Sequence, residues 1–262
     1  MRLVTWNVNS VRLRLEQLSR IDAALRPDVF CLQETKVVDS LFPREAFAAL
    51  GYEHLALLGQ KSYNGVAIAA RRPLTDVTIQ NWCGREDCRH LIAGLDGIEV
   101  HCLYVPAGGD VPDPDINEKF AHKLAFLDTL TQWFAEQRAS GQPKILLGDL
   151  NIAPLPSDVW SHRPMLKVVS HTAVEIEKMA ALQESLGWVD AVRHFIPPSE
   201  RLSTWWSYRA ADWTTSDRGR RLDHIWVSPT LVPRLGGASI FADSRGWQPP
   251  SDHVPVVVDL LD

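Results

Sequence analysis

The chain has 262 residues, a formal net charge of −5 and an apolar fraction of 45%. That is enough apolar material for a large core, and no linker-like run divides the chain, so a single domain over residues 1–262 is expected. The negative charge argues against a generic basic coat for nucleic acid, and no apolar stretch approaches the length of a membrane span.

Taken in chain order, the elements alternate. Arg2–Val8 reads as a strand with no basic–apolar leader before it. Ser10 can cap a helix through about Leu25, with Val11, Leu15, Leu18, Ile21 and Leu25 at helical spacing and Pro27 ending it. Val29–Leu32 is a continuous apolar run, the pattern of a buried strand. Pro43–Leu50 is a short helix stopped by Gly51. Val66–Ala70, Val77–Ile79, Leu91–Leu95 and Val100–Val105 read as strands joined by turn residues. Asp115–Ala139 is a long amphipathic helix with Phe120, Leu124, Leu127, Leu130 and Phe134 on one face. Lys144–Leu147 is a buried strand and Thr172–Leu186 a helix. Thr204–Ser207, Leu222–Val227, Ala238–Phe241 and Val254–Leu260 are strands. The Pro-rich pieces Val111–Asp115, Ile196–Ser199 and Gln248–Ser251 are short loops. Interleaved helices and strands in both halves predict an α/β fold with two sheets packed face to face and helices outside.

Cys31, Cys83, Cys88 and Cys102 form no CxxC pair, and two of them sit inside apolar strands. Reduced, buried thiols in a cytoplasmic protein are therefore expected, with neither disulfide nor zinc.

The ends of the buried strands carry the chemistry. Asn7 follows one apolar run and Glu34 another. Asp149 and Asn151 follow a third, and Asp252-His253 sits beside a fourth. Buried strands should end in turn residues, and ligands bind outside strand ends. A carboxylate such as Glu34 at such an end can hold Mg²⁺, which takes few protein ligands and keeps waters. Each motif also has a plainer reading: an ion pair of Glu34 with Lys36, an Asx turn at Asp149, a wall position for Tyr104. What separates the readings is that all of these residues fall at strand ends. Asp149 suits a base or a metal ligand, and Asn151 a donor to a phosphate oxygen. Asp223, at the start of its strand, can hold the His253 ring and raise its pKa, so that the imidazole donates to phosphate. The Tyr104 phenol can reach the same phosphate.

Aromatic residues give a second signal. Seven of the ten tryptophans lie from Trp160 onward. Trp205, Trp206, Tyr208 and Trp213 are interleaved with Arg209, Arg218, Arg220 and Arg221. Rings can stack on sugar or base while arginines clamp phosphate. Strand alternation buries one of Trp205 and Trp206 and exposes the other.

In the same order along the chain come Trp6-Asn7-Val8-Asn9, Gln33-Glu34-Thr35-Lys36, Tyr63-Asn64-Gly65-Val66-Ala67, Tyr104-Val105-Pro106, Gly148-Asp149-Leu150-Asn151-Ile152-Ala153-Pro154, Trp205-Trp206-Ser207-Tyr208-Arg209, Arg221-Leu222-Asp223 and Ser251-Asp252-His253. This series resembles the exonuclease III-type apurinic/apyrimidinic endonucleases, within the endonuclease/exonuclease/phosphatase superfamily. The resemblance implies a four-layer α/β sandwich of the deoxyribonuclease I-like kind, with two mixed sheets flanked by helices. It implies Mg²⁺ dependence with Mn²⁺ as a substitute, cleavage 5′ to abasic sites, and 3′→5′ trimming of duplex DNA by a monomer. Carried over by position, Asn7, Glu34 and Asp252 would lie at the metal, together with Asp149 and Asn151. Asp149 would also align the attacking water, Asn151 would stabilise the phosphate, Tyr104 would touch it, and Asp223 would pair with His253. Trp205 and Leu222 would wall an abasic pocket, with Asn9, Lys36, Arg209, Arg220 and Arg221 binding the DNA around it.

Two departures stand out. Ala107 replaces the Asn that usually follows Tyr-Val-Pro, with Gly108-Gly109-Asp110 after it. Arg220 stands where some relatives carry an aromatic. Both touch the grip on DNA and leave open the balance of endonuclease, exonuclease and 3′-phosphatase activity. A phosphatase or phosphodiesterase for a small or lipid phosphate would need the same core with a different rim. A DNA-binding protein with dead chemistry would have little reason to keep so many acids.

Overall fold

The computed structural model describes residues 1–209 and 212–262. Among these residues twelve strands form two six-stranded sheets. The first runs β11 (Leu235–Ile240), β12 (Val256–Leu260), β1 (Arg2–Asn7), β2 (Val29–Gln33), β4 (Val66–Ala70), β3 (His54–Leu58). The second runs β5 (Thr75–Trp82), β6 (Arg85–Leu95), β7 (Ile98–Tyr104), β8 (Lys144–Asp149), β10 (Asp223–Val227), β9 (Val189–Asp190). Each sheet is antiparallel except for one parallel pair, β1 with β2 and β7 with β8. The helices are α1 (Leu15–Leu25), α2 (Arg44–Ala49), α3 (Glu118–Glu136), α4 (His162–Met165), α5 (Ala173–Leu186), α6 (Ala191–Phe195) and α7 (Trp213–Ser216).

Alternation along the strands builds the layers. Leu3, Cys31 and Ile68 point from the first sheet onto Val100, Cys102, Ile145 and Ile225 of the second. Val4, Trp6, Phe30 and Leu32 point the other way and pack on Leu18 and Ile21 of α1 and Phe47 of α2. Leu103, Leu146 and Trp226 pack outward on Phe126, Leu130 and Phe134 of α3 and Met179 and Leu182 of α5. The result is the expected sandwich: helices, sheet, sheet, helices. Central strands covered on both faces explain why their sequences read as unbroken apolar runs. Each such Leu, Val or Phe contributes about 1.5–3 kcal/mol by leaving water.

Several expectations need correction. Ser10 does not cap a helix: Val11–Leu13 is one 3₁₀ turn, and α1 starts after Arg14. The long helix is shorter than its sequence period, because Asn117 caps it by accepting from the Lys119 amide. Lys123 and Phe126 take buried places on its inner face, while Leu124 is only half-buried. Thr204–Ser207 is not a strand; only Trp205 makes isolated bridges, to Arg220 and His253. β3 was not anticipated. It is a half-buried edge strand, and its Leu55-Ala56-Leu57-Leu58 run lacks the β-branched residues that mark strands. Thr172, by contrast, caps α5 in a capping box with Glu175.

The two parallel pairs do the positioning. They send four strand ends to one edge of the sandwich, and antiparallel β10 begins there. Tyr104, Asp149 and Asp223 are direct neighbours across the second sheet. Gly148 makes this row possible: at φ +147°, a Cβ there would lie 1.8 Å from the Leu103 carbonyl oxygen.

Candidate active site

From that edge the side chains converge on one cavity of about 500 Å³. Glu34, Tyr104, Asp149, Asn151, Asp252 and His253 line its floor, and Trp205, Arg209, Arg220 and Leu222 part of its wall.

Glu34 lies just past β2 in the left-handed region, at φ +52°, an uncommon conformation for a glutamate. Its carboxylate accepts from Asn7 Nδ2 (2.8 Å) and the Tyr104 hydroxyl (3.0 Å), and pairs with Lys36 (2.7 Å). Burial alone would raise this carboxyl. The hydrogen bonds from Asn7 and Lys36 outweigh burial and hold it below the ordinary value. The Lys36 ion pair of the plainer reading is thus real, and it is made to a carboxylate that lines the cavity. Burial and the Glu34 charge push the Tyr104 phenol well up, so it stays a donor.

Asn7 also donates to Asp149 Oδ2 (2.9 Å). Its Oδ1 accepts the Asn9 amide (3.0 Å). Asn7, which the resemblance puts at the metal, bridges two of the acids of the floor through its N–H groups. Asp149 Oδ1 accepts the Asn151 amide (2.9 Å), the bond that turns the chain after β8. Asn151 Nδ2 donates to the Val105 carbonyl (2.8 Å), which fixes its side chain between the strand ends. Burial is the largest influence on Asp149. The His253 charge opposes it, the Asp223 charge adds to it, and the carboxyl is raised to about 7.

His253 Nδ1 lies 2.8 Å from Asp223 Oδ2, and Nε2 lies 3.6 Å from Asp149 Oδ2. Burial would lower this imidazole. The charges of Asp223 and Asp149 and the hydrogen bond to Asp223 reverse the sign and raise it to about 10. A ring holding both protons is a donor to an anion and not a metal ligand. Although ligand atoms of Asp149, Asp223 and His253 come within 4.8 Å of one another, Asp223 and His253 are better read as a charged pair. Asp252 accepts from Asn9 Nδ2 (3.1 Å) and Trp205 Nε1 (2.9 Å). Burial would raise its carboxyl; the His253 charge and these two bonds bring it below the ordinary value.

The donor set fits a divalent cation. Glu34, Asp149 and Asp252 bring three buried or half-buried carboxylates to one floor, with Asp223 behind. Lys36 and His253 supply two positive charges against four negative ones. All the free donors are oxygens, the preference of a hard ion.

At the rim, Leu222 packs with Val159 and Met165 and with half-buried Trp205. Trp206 is the buried member of the pair, 6% exposed, where it meets Trp213 edge-on. Arg209 and Arg218 are exposed, Arg218 over the Trp160 ring. Arg221 must be withdrawn from the DNA-binding set: its side chain is 1% exposed and is held by Asp158 and Asp190. Lys36 and Asn9 also sit inward, joined to each other and to Glu34 and Asp252.

Two supports were missed. Thr204 Oγ1 donates to Asp223 Oδ2 (2.6 Å) and accepts two backbone amides. Lys123, fully buried on α3, donates to the Asn151 carbonyl (2.8 Å) and pairs with Glu175. The signal for Lys123 was present: a lysine three residues after Phe120, inside an apolar stripe.

The family model for the Endonuclease/Exonuclease/phosphatase family matches residues 4–253, so the chain belongs to that family of hydrolases. Within it, the chain is 30% identical over 268 residues to exodeoxyribonuclease III of Haemophilus influenzae, covering 98% of each. It superposes with a TM-score of 0.91 on an AP endonuclease from Archaeoglobus fulgidus, at 32% identity and 99% coverage of each chain. The same score, identity and coverage relate it to a 3′ phosphatase, NExo, from Neisseria, bound to a product DNA hairpin. Among the described residues no helix is long and apolar enough to cross a membrane.

Proposed function

We propose that the protein is a single-domain, monomeric DNA-repair phosphodiesterase that needs Mg²⁺, with Mn²⁺ as a substitute. It cleaves 5′ to abasic sites and trims 3′ ends of duplex DNA. The observation that carries this reading is the meeting of three carboxylates with the Asp223–His253 pair beneath an apolar Trp205–Leu222 wall. The relatives' activities point the same way.

In this reading Glu34, Asp252, Asp149 and the Asn151 Oδ1 would hold the cation. When bound, the cation would neutralise charge growing on the phosphate and leaving oxygen. Asp149 takes the proton of the attacking water, from a carboxylate that Asn7 and the Asn151 amide hold in place. Protonated His253 and the Tyr104 hydroxyl donate to the phosphate oxygens. Asp223 holds the ring in register, and Asn7 keeps Glu34 and Asp149 at a fixed spacing. Trp205 and Leu222 accept a flipped-out sugar without a base, and extrusion costs least where no base must be unstacked. Arg209 and Arg218 track the flanking phosphates, so binding should weaken steeply with salt despite the net charge.

The test compares an abasic duplex with a small phosphodiester, before and after EDTA. EDTA should abolish both activities and Mg²⁺ restore them. Glu34→Ala should raise the Mg²⁺ requirement while the fold survives. Trp205→Ala should lower abasic cleavage far more than hydrolysis of the small ester. Good turnover of the small ester with an untouched abasic duplex would move the protein to the small-phosphate branch.

A further inference from the structure

Arg220 departs from the family pattern in the wall of the cavity; Arg14 and Arg245 are buried without an ion pair too, but neither lines the cavity. Its backbone is fixed by antiparallel bonding to Trp205, N–H to carbonyl in one direction (3.0 Å) and the reverse (2.9 Å). Its guanidinium stands over the Trp205 ring, 5.0 Å from the centroid. Nη1 donates to Ser170 Oγ (2.9 Å) and the Val169 carbonyl (3.2 Å). Nε is buried without a partner. Arg193 and Arg221 each have an aspartate. Arg220 makes no ion pair among the described residues, since Glu175, whose charge acts on it, is already paired with Lys123; yet it is half-buried and borders the cavity.

A guanidinium keeps its charge, and a half-buried charge without a counter-ion is costly. An internal abasic site puts a neutral sugar between Trp205 and Leu222. That sugar gives Arg220 nothing to pair with, and the guanidinium narrows the space for it. A 3′-terminal phosphate differs at one atom. Where an internal diester continues through an ester oxygen to the next sugar, the terminal group ends in a free, charged oxygen. That oxygen points to the space the next sugar would fill, which is the space Arg220 borders. Guanidinium–phosphate pairing is strong and directional.

We infer that Arg220 is a specificity-determining residue that grips the additional charged oxygen of a 3′-terminal phosphate and turns the site from internal abasic sugars toward 3′-phosphorylated ends. This rests on the phosphodiesterase reading above. The reaction balances as a hydrolysis. The water oxygen bonds to phosphorus, and Asp149 takes one of its protons. The bond from phosphorus to the 3′-oxygen breaks, with its electron pair going to oxygen, which takes a proton from solvent. The products are inorganic phosphate and a 3′-hydroxyl end.

The experiment uses the full chain with Mg²⁺ on two duplexes, one nicked with a 3′-phosphate and one with an internal abasic analogue. Wild type, Arg220→Met and Arg220→Lys are compared by kcat and KM. Loss of the charge–phosphate contact in Arg220→Met should raise KM on the 3′-phosphate by about tenfold or more. The ratio of abasic cleavage to 3′-phosphate removal, in kcat/KM, should rise. Arg220→Lys should keep much of the preference, which a purely structural role would not predict. Thermal unfolding checks that each variant folds, and if Arg220→Met does not, Arg220→Lys and Arg220→Gln carry the comparison. Equal losses on both duplexes, or an unmoved ratio, overturn the inference while leaving the nuclease reading intact. Wild type inert on both duplexes overturns the nuclease reading and this inference with it.

Discussion

The same two strands, β7 and β8, carry a buried imidazole–carboxylate network at each end, and the two networks titrate in opposite directions. At the C-terminal end His253 sits between Asp223 and Asp149 and is raised to about 10. At the N-terminal end His101 Nε2–H donates to Glu99 Oε1 (2.8 Å) and its Nδ1 lies 3.0 Å from His90 Nε2, beneath Trp133 and Phe134. Burial outweighs Glu99 there and lowers His101, and burial with the His101 charge puts His90 well below the ordinary value. Burial penalises the charged ring in both places. What differs is the number of unshared acids: three carboxylates act on His253, while the one beside His101 also pairs with Lys144. A histidine–carboxylate contact alone therefore does not mark a proton-handling site; the count of acids without their own cations does.

The largest effect should come from Asp149, an acid of the His253 network. Asp149→Asn removes a base and leaves the hydrogen-bonding shape, so turnover should fall by about 10³-fold with substrate binding largely kept. A variant with near-normal turnover in single-turnover assays would strip Asp149 of that role. Next comes the pair itself. Asp223→Ala and His253→Ala should each lower turnover by about 10²-fold or more, and the double variant should lose far less than the product of the two. Fully additive losses would mean that the 2.8 Å contact is not what matters.

At the other end the same kind of substitution should act on stability alone. Glu99→Ala leaves the buried His101 ring nitrogen without its partner, at a cost of about 1–3 kcal/mol in a urea titration. Turnover should be unchanged. A large loss of turnover in the folded variant would show that the two ends are coupled and break the comparison.

How much of this was legible in the sequence follows from where the causes lie. The central strands were plain because burial on both faces writes an unbroken apolar run, as in Val29–Leu32 and Lys144–Leu147. The floor of the cavity was plain because polar residues at the ends of such runs have no packing reason to be there. The structure brings Glu34, Tyr104, Asp149, Asn151, Asp223, Asp252 and His253 together. Arg221 was misjudged because a positive charge beside tryptophans reads as a clamp, while its partners Asp158 and Asp190 lie 63 and 31 residues away in sequence. Only the register of β9 beside β10 brings Asp190 near. Thr204 and Lys123 were missed for the same reason: each acts on a partner fixed by tertiary contact and not by spacing. The His90–His101 network had no sequence signal either, since its members fall on two strands whose pairing places one ring over the other.

The smallest effect is also the sharpest test of the comparison, because it predicts opposite signs. With EDTA present, consider the stability each ring contributes as pH changes. His253 binds its proton more tightly folded than unfolded, so its contribution is fully present below the unfolded value near 6.5 and is lost as pH rises through about 10. His101 and His90 bind protons less tightly folded than unfolded. Their neutral forms favour the fold at and above about 6.5, and stability is lost as pH falls below that value. Urea midpoints measured from acid to alkaline pH should therefore show two separate declines. His253→Asn should flatten the alkaline decline relative to wild type and leave the acid one. His101→Asn should flatten the acid decline and leave the alkaline one. Carboxylates elsewhere add to the acid limb in all three proteins, so the difference between variant and wild type is the quantity to read. If both variants flatten the same limb, the acid count around each ring is not what sets its charge.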